Sequence, residues 1–130
     1  MTEIAEPRFD TGNIDSREVA DAVAAILDEK NGRDIRMLRV NEKTTVTDYF
    51  VICTANSSTQ VKSICAEVEY KLSERGLPPA HIEGYDEGSW AVLDFLYVIV
   101  HIFKADQREF YKLEKLWGDC EEIPVKITQK

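Results

Sequence analysis

The sequence predicts a single α/β domain in which helices flank a mixed five-stranded sheet. Its 130 residues, 44% of them hydrophobic, are enough to build one core. Short apolar segments typical of strands alternate along the chain with longer segments whose apolar residues recur at helical spacing. The resulting order, α-β-β-α-β-β-β-α, predicts a sheet covered by helices, because a bundle or a barrel would not interleave the two kinds of segment.

We expect the folded domain to occupy residues 15–119. Residues 1–14 are expected to be a flexible leader, and residues 120–130 a tail without clear periodicity. The leader lacks the basic and apolar regions of a signal peptide, and no apolar run approaches the roughly 20 residues of a membrane span. The chain is therefore expected to be cytoplasmic and to have no membrane contact.

The first helix is predicted from about residue 16 to residue 31. Asp15 or Ser16 can cap its start, since a side-chain oxygen there can accept free backbone N–H groups. Gly32 is expected to end the helix by adopting the positive φ that glycine tolerates.

Two strands are predicted next. Residues 34–41 mix apolar side chains with arginines, which indicates one buried and one wetter face. Residues 48–55 are almost continuously apolar and rich in β-forming residues, so they predict a central strand covered on both sides. Cys53 in this strand and Cys65 in the following helix are expected to be small buried hydrophobic residues.

The second helix begins at a capping pair, because Ser57 and Gln60 match the S-x-x-Q pattern. Gly76 is expected to end it. Three short strands and a final amphipathic helix follow, at residues 80–84, 90–94, 98–103 and about 106–118. The last two strands are expected to be antiparallel neighbours across a short turn.

The net charge of −8 argues against binding to free nucleic acid, since a phosphate backbone would be repelled and no Lys/Arg stripe offsets the charge. A basic protein surface is the more natural partner. The alternative is that the acidic balance only keeps the protein in solution.

No motif for catalysis or metal binding is present. His81 and His101 belong to no pattern of paired ligands, and no cysteine is spaced to assist them. The acids Asp48, Glu83 and Asp94 each lie at one end of a separate predicted strand, and no D-x-D pair occurs that would hold two metal ions. We therefore expect neither an enzyme, nor a metal, nor a cofactor.

Trp90 is the residue most suggestive of a binding site. It follows a Gly-Ser loop and begins a strand. An exposed tryptophan beside Glu83 and Asp94 would be a typical anchor for a protein partner. The alternative is a partly buried core indole.

Six segments, taken in order and with their spacing, resemble the ribosomal silencing factor family (RsfS, also called the Iojap-like or YbeB family). They are Asp48-Tyr-Phe-Val-Ile-Cys-Thr-Ala55, Ser58-x-Gln-Val61, Glu83-Gly84, Trp90-x-x-x-Asp94, Val98-x-Val-His-x-Phe103 and Arg108-x-Phe-Tyr-x-Leu-Glu-x-Leu-Trp117. The resemblance covers about residues 34 to 118.

The resemblance implies a sheet similar to that of nucleotidyltransferases but without their catalytic acids. It implies a protein that binds the large ribosomal subunit through its fourteenth protein, blocks joining to the small subunit and represses translation. Homodimers occur in the family, so a homodimer stays open. The alternative hypothesis is a nucleotidyl-handling enzyme on the same fold, since a fold does not determine a function.

Carried over by position, the resemblance places Trp90, Asp94 and Glu83 on or beside the contact face. Asp48 and Arg108 are also candidates, although a buried pair of these two could instead fix the sheet to the last helix.

The chain departs from the family pattern after Asp94. The family usually has an aromatic residue, glycine and aspartate there, and this chain has Phe95, Leu96 and Tyr97. The geometry of the turn and any contact made by the missing acid are therefore open.

Overall fold

A computed structural model describes residues 7–42, 44–107 and 120–125. The elements in this part of the chain are α1 (Ser16–Glu29), β1 (Arg33–Arg39), β2 (Tyr49–Ala55), α2 (Ser58–Glu74), β3 (His81–Glu83), β4 (Trp90–Asp94), β5 (Val98–Lys104) and β6 (Glu121–Ile123). The predicted α/β class is confirmed. The backbone is helical at residues 105–107, and the remainder of the predicted final helix lies outside the described residues.

The described strands form one mixed sheet in the order β3-β4-β5-β2-β1-β6. β2 and β5 are parallel, and every other neighbouring pair is antiparallel. All residues of β2 are buried, which confirms the prediction of a central strand covered on both sides. The predicted antiparallel pairing of β4 with β5 is also confirmed.

The sheet has six strands, not the five that the sequence predicts, because residues of the expected tail pair with β1. Arg36 on β1 forms an ion pair with Glu122 on β6, with Nε 2.9 Å from Oε2. A strand of three residues is too short to show a hydrophobic period, which explains why the sequence does not reveal it. In the expected leader, Phe9 is buried, and its N–H donates to the carbonyl of Arg75.

The start of α1 agrees with the prediction from the sequence, and its end differs from it. Asp15 is the N-cap, and its carboxylate accepts backbone N–H groups of the first turn. The expectation that Gly32 supplies a positive φ is wrong, because Asn31 adopts it (φ 64°). Gly32 is instead needed for a close approach: a Cβ there would lie 3.0 Å from the Leu27 carbonyl oxygen and 3.1 Å from Cys53 Sγ.

The predicted capping pair of α2 is confirmed. Ser57 Oγ accepts the N–H of Gln60, and Gln60 Oε1 accepts the N–H of Asn56. Gln60 Nε2 also donates to the carbonyl of Asn31, so one side chain joins the start of α2 to the end of α1. Gly76 ends α2 with a φ of 87°, as predicted.

Both described helices, α1 and α2, cover the same side of the sheet. Alternate residues of β2, β4 and β5 pack against them, and Cys53 and Cys65 are buried in this core as expected. The opposite side is called here the Trp90 face. It carries Phe50, Ile52, Trp90, Val92, Asp94, Ile99, His101 and Phe103.

The turn between β4 and β5 retains the backbone that favours glycine, although this chain has leucine there. Leu96 has a φ of 74°. Its N–H donates to Asp94 Oδ1 at 2.7 Å, and the N–H of Phe95 donates to the Val98 carbonyl at 2.9 Å. The carbonyl of Tyr97 accepts the N–H groups of residues 48 and 49, which ties the turn to the start of β2.

Replacement of Gly84 by alanine should destabilise the fold by about 3 kcal/mol or more, because backbone strain and a backbone clash add. Gly84 has a φ of 78°, and a Cβ there would lie 2.0 Å from the carbonyl oxygen of Trp90. Gly12→Ala is the matched control, since its Cβ would meet only Asp10 Oδ1 at 3.5 Å. Equal urea unfolding midpoints for the two variants would contradict this account of Gly84.

Candidate protein-binding face

Strand register brings three of the candidate residues to the Trp90 face. Trp90 and Asp94 lie four residues apart on β4, so their side chains point to the same side. Glu83 on β3 pairs with Val92 on β4, and Val92 pairs with His101 on β5. Glu83, Trp90 and Asp94 therefore share the end of the sheet formed by β3 and β4.

Trp90 is half-buried and is held by two aromatic neighbours. Its Nε1–H donates to Nδ1 of His101 at 3.1 Å. Its ring stacks on Phe103, with centroids 5.0 Å apart and an angle of 19° between the planes. Trp90 thus lies between the two alternatives from the sequence: it is packed against neighbouring rings and is only partly buried. A tryptophan fixed in this way loses little freedom on binding a partner.

His101 is the supporting residue that the sequence did not single out for this role. It is 6% exposed, and its ring meets Phe50 edge-on at 4.9 Å. Since Nδ1 accepts from Trp90, the neutral imidazole carries its proton on Nε2, which has no hydrogen-bond partner among the described residues. Burial lowers the pKa of His101 to about 4, so the acceptor nitrogen stays available at neutral pH.

The acids of this face lie at its outer edge. Glu83 is exposed, with Oε2 3.0 Å from Nε2 of the exposed His81. Asp94 is half-buried and accepts the N–H of Leu96. His81 and Asp94 are opposite each other in the β3–β4 register. Carboxylates on the same face as a fixed indole are suited to Lys and Arg side chains on a protein partner.

Asp48 contacts the β4–β5 turn through its backbone, since its N–H donates to the carbonyl of Tyr97, and α1 through its side chain. Asp48 lies just before β2, where its carboxylate accepts the hydroxyl of Ser16 at the start of α1. Its contact therefore joins a loop to a helix on the other side of the sheet. Arg108 lies outside the described residues, so its pairing with Asp48 stays a prediction.

The described residues contain no group of three or more His, Cys, Asp and Glu side chains that could hold a metal ion. The His81–Glu83 pair alone is too small a ligand set for a structural or catalytic metal. Within the same ranges, no helix is long and apolar enough to cross a membrane.

The fold is that of a small α/β domain, and this face is its candidate protein-binding surface. The family profile described as ribosomal silencing factor during starvation matches residues 13–130. A ribosomal silencing factor from Bacillus subtilis is 39% identical over 107 residues, which cover 82% of this chain and 91% of that protein. The chain belongs to the ribosomal silencing factor family.

Two further relatives extend the comparison. A crystal structure of a protein from Chromobacterium violaceum has a TM-score of 0.79 and 26% identity, and the match covers 90% of this chain and 95% of that one. The mouse protein named mitochondrial assembly of ribosomal large subunit protein 1 is 36% identical over 103 residues, covering 75% of this chain and 44% of that protein. The similarity to the family, in sequence and in fold, thus extends over most of the chain.

The buried His101 should make stability fall in acid. The unfolded histidine takes up a proton near its ordinary pKa of 6.5, and the folded one only near 4, so stability is complete above pH 6.5. It should then fall by about 3 kcal/mol between these two values. Urea unfolding at pH 7 and pH 4.5 measures this loss, with His101→Phe for comparison.

The His101→Phe variant should lack this component, and His81→Phe, at an exposed position, should retain it. An identical pH dependence in His101→Phe and the unchanged protein would show that the buried imidazole does not titrate in this window.

Proposed function

We propose that this protein binds the large ribosomal subunit through its fourteenth protein, blocks joining to the small subunit and so represses translation. Membership of the ribosomal silencing factor family supports a role in silencing ribosomes. The name of the mouse relative refers to the large subunit, which favours that subunit as the partner. The site of action is then the cytoplasm, where free subunits meet.

The observation that carries the proposal is the Trp90 face itself. It offers an indole held by His101 and Phe103, on the same side of the sheet as the carboxylates of Glu83 and Asp94. Half-buried aromatic side chains with a polar surround are typical centres of protein interfaces. The net charge of −8 adds long-range attraction to a basic ribosomal protein.

Binding alone is sufficient for the proposed activity. A domain of 14.8 kDa seated on the inter-subunit side of the large subunit would exclude the small subunit by its volume. No bond needs to be made or broken, and no cofactor is required.

Co-sedimentation with isolated subunits tests the proposal. The protein should pellet with large subunits and not with small subunits, and it should reduce the yield of joined ribosomes when both are mixed. Equal pelleting with both subunits, or joining that is unaffected at saturating protein, would contradict it. Tight binding of a nucleotide and a divalent metal by calorimetry would favour the alternative enzyme hypothesis.

The acids of the face should accelerate association with the isolated ribosomal protein. Glu83→Gln and Asp94→Asn each remove one charge, and Asp94→Asn keeps an oxygen that can accept the N–H of Leu96. Each should lower the association rate about threefold at low salt, with less effect near physiological salt, where the Debye length is about 8 Å.

Glu74→Gln is the matched control, because Glu74 is an exposed acid at the end of α2. It changes the net charge equally and should leave the association rate nearly unchanged. Stopped-flow kinetics at several salt concentrations would measure all three variants. Similar losses in all three would indicate that total charge, and not this face, steers the encounter.

A further inference from the structure

Three of the exposed large hydrophobic side chains in the described structure lie at one end of the sheet. Leu96 is 57% exposed and Tyr97 is 42% exposed in the β4–β5 turn, and Val46 is 69% exposed in the loop before β2. These three residues are called the end patch. Apolar side chains that are exposed together are typical of interaction sites.

The two loops that carry the end patch are joined by backbone hydrogen bonds. The carbonyl oxygen of Tyr97 accepts the N–H of Asp48 at 3.1 Å and the N–H of Tyr49 at 3.3 Å. Val46 precedes Asp48 by two residues. The loop that carries Val46 and the turn that carries Leu96 and Tyr97 are therefore tied together at the same end of the sheet.

Leu96 has an exposed side chain and a backbone conformation that is unfavourable for leucine. Its φ of 74° is easily adopted by glycine and costs free energy in any residue with a Cβ. The bond from its N–H to Asp94 Oδ1 and the burial of Phe95 fix the turn around it. Because the leucine side chain is mostly exposed, packing within the chain does not explain why leucine occupies this position.

We propose that the end patch extends the Trp90 face into one continuous binding surface, and that it receives the aliphatic stems of Lys or Arg side chains on a basic large-subunit protein. This inference rests on the proposed function and specifies the partner's chemistry at that site. Asp94 links the two areas, since it lies on the Trp90 face and also holds Leu96.

The chemistry of the end patch fits basic side chains. Lys and Arg bury their methylene stems on apolar surface while their charged heads reach a nearby acid. Leu96 and Tyr97 supply the apolar surface, and Asp94 supplies the acid at the base of the turn. A free phosphate backbone would meet carboxylate and net negative charge, so a protein surface is favoured over RNA.

Leu96→Gly separates binding from stability. The variant removes the exposed side chain and relieves the backbone strain, so its Tm should rise by roughly 2 °C. Its affinity for isolated large subunits should nevertheless fall about tenfold. Asn31→Gly is the matched control, because Asn31 has a similar φ of 64° away from the sheet end, and its affinity should be unchanged.

Tyr97→Ala provides a second variant, with Tyr70→Ala on α2 as its control, since Tyr70 is also exposed (61%). Affinity should fall for Tyr97→Ala only, both with large subunits and with the isolated ribosomal protein. If both turn variants bind large subunits like the unchanged protein, the end patch is refuted and the proposed function stands. If the unchanged protein does not bind large subunits, the proposed function and this inference both fail. If the turn variants bind large subunits more weakly but bind the isolated ribosomal protein normally, the end patch contacts RNA and the inference is overturned.

Discussion

The parallel pairing of β2 with β5 is the constraint on which the rest of the structure depends. Seven residue pairs from Tyr49↔Val98 to Ala55↔Lys104 fix the register of the two central strands. Because side chains alternate along a strand, this register decides which residues meet the helices and which form the Trp90 face. A shift by one residue would place His101 among the apolar side chains under the helices and move Val100 or Ile102 to the Trp90 face in its place.

The same constraint couples the binding face to the stability of the fold. β4 takes its register from β5, so the indole of Trp90 meets Nδ1 of His101 and the ring of Phe103. The buried histidine lowers stability in acid and fixes the tryptophan at neutral pH. The face is therefore prepared before any partner arrives, which reduces the entropy lost on binding. Removing the indole should affect the fold as well as the interface.

The sequence predicts what local chemistry determines. The bounds of β4 and the caps at Asp15 and Ser57 depend on neighbouring residues, and the structure has them as expected. Alternation along β4 likewise places Trp90 and Asp94 on one face. Features that depend on distant contacts were missed: β6 exists through its pairing with β1, and the role of His101 depends on a bond to a residue in the neighbouring strand.

The most direct test of the central claim is photo-crosslinking from the Trp90 face to the large subunit. A photoreactive amino acid at position 83, at the exposed edge of the face, should crosslink to the fourteenth protein of the subunit, identified by mass spectrometry. The same group at position 74, at the end of α2, should give no such product. Crosslinks from position 74 and none from position 83 would show that another surface contacts the ribosome.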